Sequence, residues 1–236
     1  VETGFIAFFD DDDISEPGRV DLQIAMIVKK EQLLKGYMKS PICYGDRLLY
    51  CKSGKKFYVK GVDIDLEKSS CMRCIYAILG SDILPKTAQN GSSATCTMCA
   101  RAEVIKKIGG FNRLLRRYED VEFAIRALLY GSSLTTVTKP ILRQIQTLTK
   151  DKKRAFIYNI KMIKMYRHIF LNTSGFNRAL YYAKLKNSLL ERRYKAAANH
   201  LVTMLRYSFA KSIVFLMLKL LLSIQVKERA HIKEIR

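Results

Sequence analysis

The sequence predicts an α/β protein with a helical C-terminal extension, and three observations carry that expectation. Short apolar runs bounded by turn residues alternate with helix-period segments through the first 149 residues. From about residue 150 the period is helical throughout. The charge changes at the same place. Residues 1–149 hold 22 Lys/Arg against 17 Asp/Glu, whereas residues 150–236 hold 20 against 4. The chain therefore reads as two regions, 1–149 and a basic 150–236, and the second needs an anionic partner or surface.

Taken in order, VETGFIAFF (1–9) reads as the end of a turn and a short apolar strand, and four aspartates follow it without a break. A helix then begins: Pro17 suits a first turn, and Val20, Ile24, Ile27 and Val28 recur at helical spacing, with Gly36 as the stop. Residues 41–66 alternate turn signals with short apolar runs, RLLY and KFYV among them, as strands or hairpins do. A short helix is expected near 68–79, a loop over 80–93, and an extended segment at SATCTMCA. AEVIKKI is a brief helix ended by Gly109 and Gly110. The next helix carries Val121, Ala124, Ile125, Leu128 and Leu129 on one face and stops at Gly131.

Three apolar segments with basic flanks make up the extension. The densest, 208–226, is interrupted by Lys211 and Lys219. A spanning helix needs about 20 mostly apolar residues with few charges. An amphipathic helix lying in a membrane interface fits this stretch better, and a helix packed on the domain or on a second subunit is the alternative.

The four-aspartate run is the first place to look for chemistry. Like charges at Asp10, Asp11, Asp12 and Asp13 repel one another unless a cation sits among them. Oxygen-rich groups suit Mg²⁺ or Mn²⁺, which bridge readily to phosphates. A solvated acidic loop capping the following helix is the competing reading, because carboxylates favour a helix N-terminus. Glu119 and Asp120 admit the same capping role at the start of their helix. Arg126, two turns after Glu119, either pairs with an acidic group or holds phosphate.

The six cysteines fall at irregular spacings and read as reduced thiols. Cys71, Cys74, Cys96 and Cys99 form two CxxC pairs, superficially a zinc spacing. Neither pair has the Gly or Pro of a knuckle turn, so small buried hydrophobes are the preferred account. His168, His200 and His231 all lie in the extension without carboxylate or cysteine companions. No secretory signal opens the chain and no Gly-rich phosphate loop occurs in it.

GFIAFFDDDDISEPGRVDLQ resembles the strand and acidic turn of family 2 glycosyltransferases: an apolar strand, Asp-x-Asp, an apolar residue, then a proline opening a helix. CARAEVIKKIGGFNRLLRRYEDVEFAIRALLYG resembles the second signature of that family. It has a basic residue before a short helix, a Gly-Gly-Phe turn, a Glu-Asp pair and a later Arg. The two elements stand in the family's order, about 110 residues apart, and the resemblance spans roughly residues 4–140.

The resemblance implies the latter part of a GT-A, or nucleotide-diphospho-sugar transferase, domain. It implies that Asp10 and Asp12 hold Mn²⁺ or Mg²⁺ against the diphosphate of a nucleotide-sugar donor. Asp11 and Asp13 then sit beside the donor, and Arg126 is a further candidate for its phosphate. Asp120, with Glu119 beside it, matches the family's catalytic base, which gives inversion. The implied acceptor is an envelope glycan or a lipid-linked saccharide, as in polysaccharide biosynthesis. The extension would hold the enzyme peripherally at the cytoplasmic face of an anionic membrane. The family's initial strands, which hold the nucleotide base, are not matched here, so a partial and inactive domain is an alternative expectation. The Gln-x-x-Arg-Trp element of processive synthases is absent, and the chain has no Trp. A basic nucleic-acid-binding protein is the remaining rival. The aliphatic runs of the extension and the absence of a named motif speak against it, and no nucleic-acid partner is expected.

Overall fold

The computed structural model describes residues 4–33, 39–51, 54–145 and 151–207, with Ile213 and Leu216 as two isolated helical positions. Strands β1 (Phe5–Ala7) and β2 (Ile14–Ser15) flank the aspartate run, and helix α1 (Arg19–Leu33) follows. A hairpin of β3 (Lys39–Tyr50) and β4 (Lys56–Val59) leads to α2 (Cys71–Ile78). After a 3-10 turn at Thr95–Thr97 come β5 (Cys99–Arg101), α3 (Ala102–Ile108), α4 (Glu119–Tyr130) and β6 (Ser132–Ile145). The extension contains α5 (Lys152–Met165), a 3-10 turn at Arg167–Ile169, α6 (Thr173–Leu190) and α7 (Tyr194–Tyr207).

The fold is mixed α/β with a curled mixed sheet. Strand order is β1-β5-β3-β6-β2, with β4 added to β3. β3 and β6 run parallel, while the other pairs are antiparallel. Side chains alternate across the sheet, as a period of two requires. Ile42, Tyr44, Ala100 and Leu134 enter one buried cluster with Phe123, Ile125 and Leu128 of α4. Cys43, Cys99 and Val137 enter another with Ile27 of α1. The helices thus cover the sheet from both sides.

The long strand β6 has no counterpart among the elements expected from sequence. Its core segment is Ser-Leu-Thr-Thr-Val-Thr, whose β-branched residues suit a pleated surface better than a helix. Pro140, which breaks a helical reading, sits opposite Asp46 at a register shift, where a missing N–H is tolerated. At the same shift a Cβ on Gly45 would lie 2.0 Å from Cδ1 of Ile141, so the strands approach there only with glycine. In SATCTMCA only the last two residues join a strand, because Thr95–Thr97 tightens into a 3-10 turn. The stop expected at Gly36 lies outside the described residues, as does the apolar stretch 208–226 except for Ile213 and Leu216.

The start of the extension shares the α/β core. Met162, Ile163, Tyr166, Phe176 and Ala179 belong to the cluster that contains Phe123. Tyr76 Oη donates to the Ile169 carbonyl at 2.7 Å, and Tyr166 Oη donates to Glu122 Oε1 at 2.8 Å. Among the described residues, no helix is long and apolar enough to cross a membrane.

Candidate functional site

The aspartate run forms a turn between β1 and β2, closed by the Asp13 N–H donating to the Asp10 carbonyl at 3.2 Å. Two buried polar residues of α1 hold the turn in place. Arg19 Nη2 donates to the Phe8 carbonyl at 2.6 Å, and Arg19 Nε donates to Gln23 Oε1 at 3.1 Å. Gln23 Nε2 in turn reaches the carbonyls of Cys43 on β3 and Thr97 before β5. One helix thereby ties the residue after β1 to two neighbouring segments. A polar group this deeply buried is stable only when bonded, so the network is a rigid support.

Asp10, Asp11 and Asp12 are exposed, while Asp13 turns inward and is 7% exposed. Gln144 Nε2 donates to Asp13 Oδ2 at 3.3 Å, but Asp13 Oδ1 is buried without a partner. Burial, and then the charge of Asp10, push the Asp13 carboxyl above its ordinary value. Asp10, Asp13 and Cys96 offer ligand atoms that all lie within 4.8 Å of one another. An unsatisfied buried oxygen beside a second carboxylate fits a divalent cation. The group gathered here pairs Asp10 with Asp13 and Cys96, and it does not include Asp12. Cys96 was not foreseen as a neighbour of the turn; only the fold brings it there.

The second set of residues stands at the N-terminus of α4. Tyr118, the residue before the helix, has φ 64° and ψ 13°, a left-handed conformation that is uncommon outside glycine. The Tyr118 side chain does not cap the helix, but Asp120 Oδ1 accepts from the first-turn Val121 N–H at 2.7 Å, as the capping reading expects. Glu119 Oε2 is buried without a partner. Burial raises the Asp120 carboxyl to about 6, the Val121 bond opposing and the Glu119 charge adding to the rise. A carboxylate poised there exchanges protons near neutral pH, which is what a general base requires.

The two sets share neighbours. The positive charge of Arg47 on β3 acts on Asp13 and Cys96 at the turn and on Asp120 at α4. The phenol of Tyr44, fully buried and without a hydrogen-bond partner, feels the charge of Asp120. Asp13 Oδ1, Tyr44 Oη, Arg47 Nε and Glu119 Oε2 are all buried polar atoms without partners, concentrated around these two acidic groups. Each is a polar atom that a water, an ion or a ligand could satisfy.

Arg126 has a different place. Its Nε and Nη2 donate to the Glu122 carboxylate, Nη1 donates to the Ile108 carbonyl at 2.5 Å, and Nη2 also donates to the Gly110 carbonyl at 2.6 Å. Of the two roles open to it from sequence, ion pairing is the one its geometry provides, and it fastens the Gly109–Gly110 turn to α4. The CxxC residues separate likewise. Cys71 and Cys74 lie on α2, with Cys74 in the larger buried cluster, whereas Cys99 lies in the smaller one. A groove of about 700 Å³ lies on the extension, lined by Phe156, Ile157, Ile160 and Met165 with Lys161, Lys164 and Lys184. Its lining holds no carboxylate or thiol. Among known proteins, no family model matches the chain and no curated sequence matches it.

Proposed function

We propose that this chain is part of a family 2 glycosyltransferase of GT-A type, moving a sugar from a nucleotide-sugar donor to an envelope-glycan or lipid-linked saccharide acceptor. The observation that carries the reading is Asp120. It is a carboxylate raised to about 6, and it shares the neighbour Arg47 with the aspartate turn.

In this reading Asp120 accepts the proton of the acceptor hydroxyl as that oxygen attacks the anomeric carbon. The bond from that carbon to the diphosphate oxygen breaks, and the nucleoside diphosphate leaves. Attack from the opposite face inverts the anomeric centre. Base assistance of this kind contributes about 10²–10⁴-fold. Asp10 and Asp13, with Asp12 at the exposed edge, would hold Mn²⁺ or Mg²⁺. Such a cation neutralises the leaving diphosphate. Glu119 keeps the site acidic and adds to the rise of Asp120. The Arg19–Gln23 network fixes the turn so that its carboxylates need no reorganisation.

The extension supports contact with an anionic membrane, because its lysines and apolar groove offer both halves of an interfacial surface. Each cation near such a surface contributes about 1 kcal/mol. Turnover of UDP-, GDP- and dTDP-sugars, with Mn²⁺ and with EDTA and with membrane extract as acceptor, tests the function. Metal-dependent release of a nucleoside diphosphate is expected. Folded protein that turns over none of them would leave the reading without an activity.

A further inference from the structure

Arg47 is a cation whose surroundings leave it unused. It lies on β3 directly after two register shifts, between Gly45 and Asp46 and between Asp46 and Arg47. Shifts of this kind re-aim the side chains that follow them. In the parallel ladder Arg47 is opposite Leu142, and Leu49 is opposite Gln144, so Arg47 and Gln144 share one face of the sheet. From that face Gln144 Nε2 reaches Asp13 Oδ2 at 3.3 Å and Cys96 Sγ at 3.6 Å. Arg47 therefore stands beside the aspartate turn.

Its own bonds are few. Nη1 donates to Ser92 Oγ at 3.1 Å, and Nε is buried with no partner. Among the described residues it makes no ion pair, although acidic groups lie to either side. Asp46, its chain neighbour, is already engaged, accepting from the Gly61 N–H and from Tyr58 Oη. Half-buried guanidinium groups with an idle buried N–H are costly unless an anion completes them. The planar fork of Arg matches a phosphoryl group better than it matches a point charge.

We propose that Arg47 is a phosphate-binding residue of this site, donating from its buried Nε edge to a phosphoryl oxygen held between the aspartate turn and Asp120. The inference rests on the glycosyltransferase reading for the identity of its ligand, which is the donor's diphosphate or the phosphate of a lipid-linked acceptor. Both present the same oxyanion. Ser92 Oγ accepts from Nη1 and so orients the fork.

The test is calorimetric titration of the whole chain with UDP, GDP, dTDP and inorganic pyrophosphate, and separately with dodecyl phosphate in place of the acceptor's phosphate. Wild type, Arg47→Gln, Arg47→Lys and Asp120→Asn are compared, each with an unchanged circular-dichroism spectrum. Arg47→Gln is expected to weaken one of these phosphates by about 10- to 100-fold, as loss of a charged hydrogen bond does. Arg47→Lys recovers part of the loss, and Asp120→Asn, which removes a negative charge beside the phosphate, does not weaken binding. A loss confined to the diphosphates identifies the donor, and a loss confined to dodecyl phosphate identifies the acceptor. Wild-type affinity for every probe in Arg47→Gln would overturn the proposal, even if sugar-nucleotide turnover were present. Conversely, lost phosphate affinity in a protein that turns over no sugar nucleotide would keep Arg47 and leave the transferase reading without an activity.

Discussion

Arg126 and Glu122 face each other one turn apart on α4, with Nη2 2.8 Å from Oε2 and Glu122 only 2% exposed. The pair fastens the turn after α3 to the helix that carries Asp120, because Arg126 also donates to the Ile108 and Gly110 carbonyls. Tyr166 Oη, from the extension, donates to the same carboxylate. Removing the guanidinium in Arg126→Met strands a buried carboxylate. That costs about 3–5 kcal/mol and lowers Tm by about 10 °C. A donor-binding role would instead raise KM at constant Tm. Thermal unfolding measured together with KM distinguishes the two.

Asp120 carries a stability penalty of known sign. Its folded pKa, raised to about 6, exceeds the unfolded carboxylate value, so the folded state binds the proton more tightly. The penalty is absent below about pH 4, develops as pH rises, and is complete above about pH 6. Asp120→Asn is therefore expected to stabilise the protein at pH 7 by on the order of 2–3 kcal/mol, and by much less at pH 4.5. Equal changes in unfolding free energy at the two pH values would contradict the assignment.

The aspartate turn separates two ligand sets. Asp10 and Asp13 are gathered with Cys96, while Asp12 is exposed outside that group. Mn²⁺ is expected to raise the Tm of wild type, since a ligand bound only by the folded state stabilises it. Asp10→Asn and Asp13→Asn lose that rise, and Asp13→Asn gains stability in EDTA because a buried, crowded carboxylate has been neutralised. Asp12→Asn retains most of the rise. If Asp12→Asn alone abolishes it, the metal belongs to the Asp10–Asp12 pair instead.

Gly91 sets the position of Ser92 and, through it, of Arg47. A Cβ on Gly91 would lie 2.0 Å from the Gly61 carbonyl oxygen, which is backbone and cannot rotate away. Ser92 bonds Lys60 and Val62 through its own backbone on the same ladder. Gly91→Ala is expected to destabilise by more than about 2 kcal/mol in chemical denaturation, through the strain of overpacking. Gly110→Ala, with φ +65° and open space around it, loses only the conformational preference, about 1 kcal/mol.

Much of this was legible from residues alone, and the misses have physical causes. The helices α1, α3 and α4 follow from apolar spacing with glycine stops at Gly109 and Gly131, both left-handed at the helix ends. Asp120 and the aspartate run were singled out from motif and charge. β6 was not, because Thr135, Thr136 and Thr138 blur the apolar alternation that marks a strand, and Pro140 argues against one. Arg47, Gln144 and Cys96 could not be found locally: Arg47 and Gln144 come together only when β3 and β6 pair in parallel, and Cys96 meets the turn only when β1 pairs with β5. Arg126 shows the opposite limit. Its place two turns after Glu119 was visible, but whether it met a ligand or a carbonyl depended on the turn at Gly109–Gly110. The 1–149 boundary was drawn where charge changes, yet α5 and α6 bury Met162, Ile163 and Phe176 in the core of the first part. Charge reports on surface partners, and core membership follows different residues.

The most direct test of the central claim is the pH dependence of kcat/KM for sugar transfer with saturating Mn²⁺, in wild type and in Asp120→Asn. The account predicts that the wild-type rate falls as pH drops through about 6, where Asp120 takes up its proton and ceases to be a base. It also predicts a loss of about 10²–10⁴-fold in the variant, with the acid limb gone. An Asp120→Asn enzyme that keeps both the wild-type rate and the wild-type pH profile would contradict it.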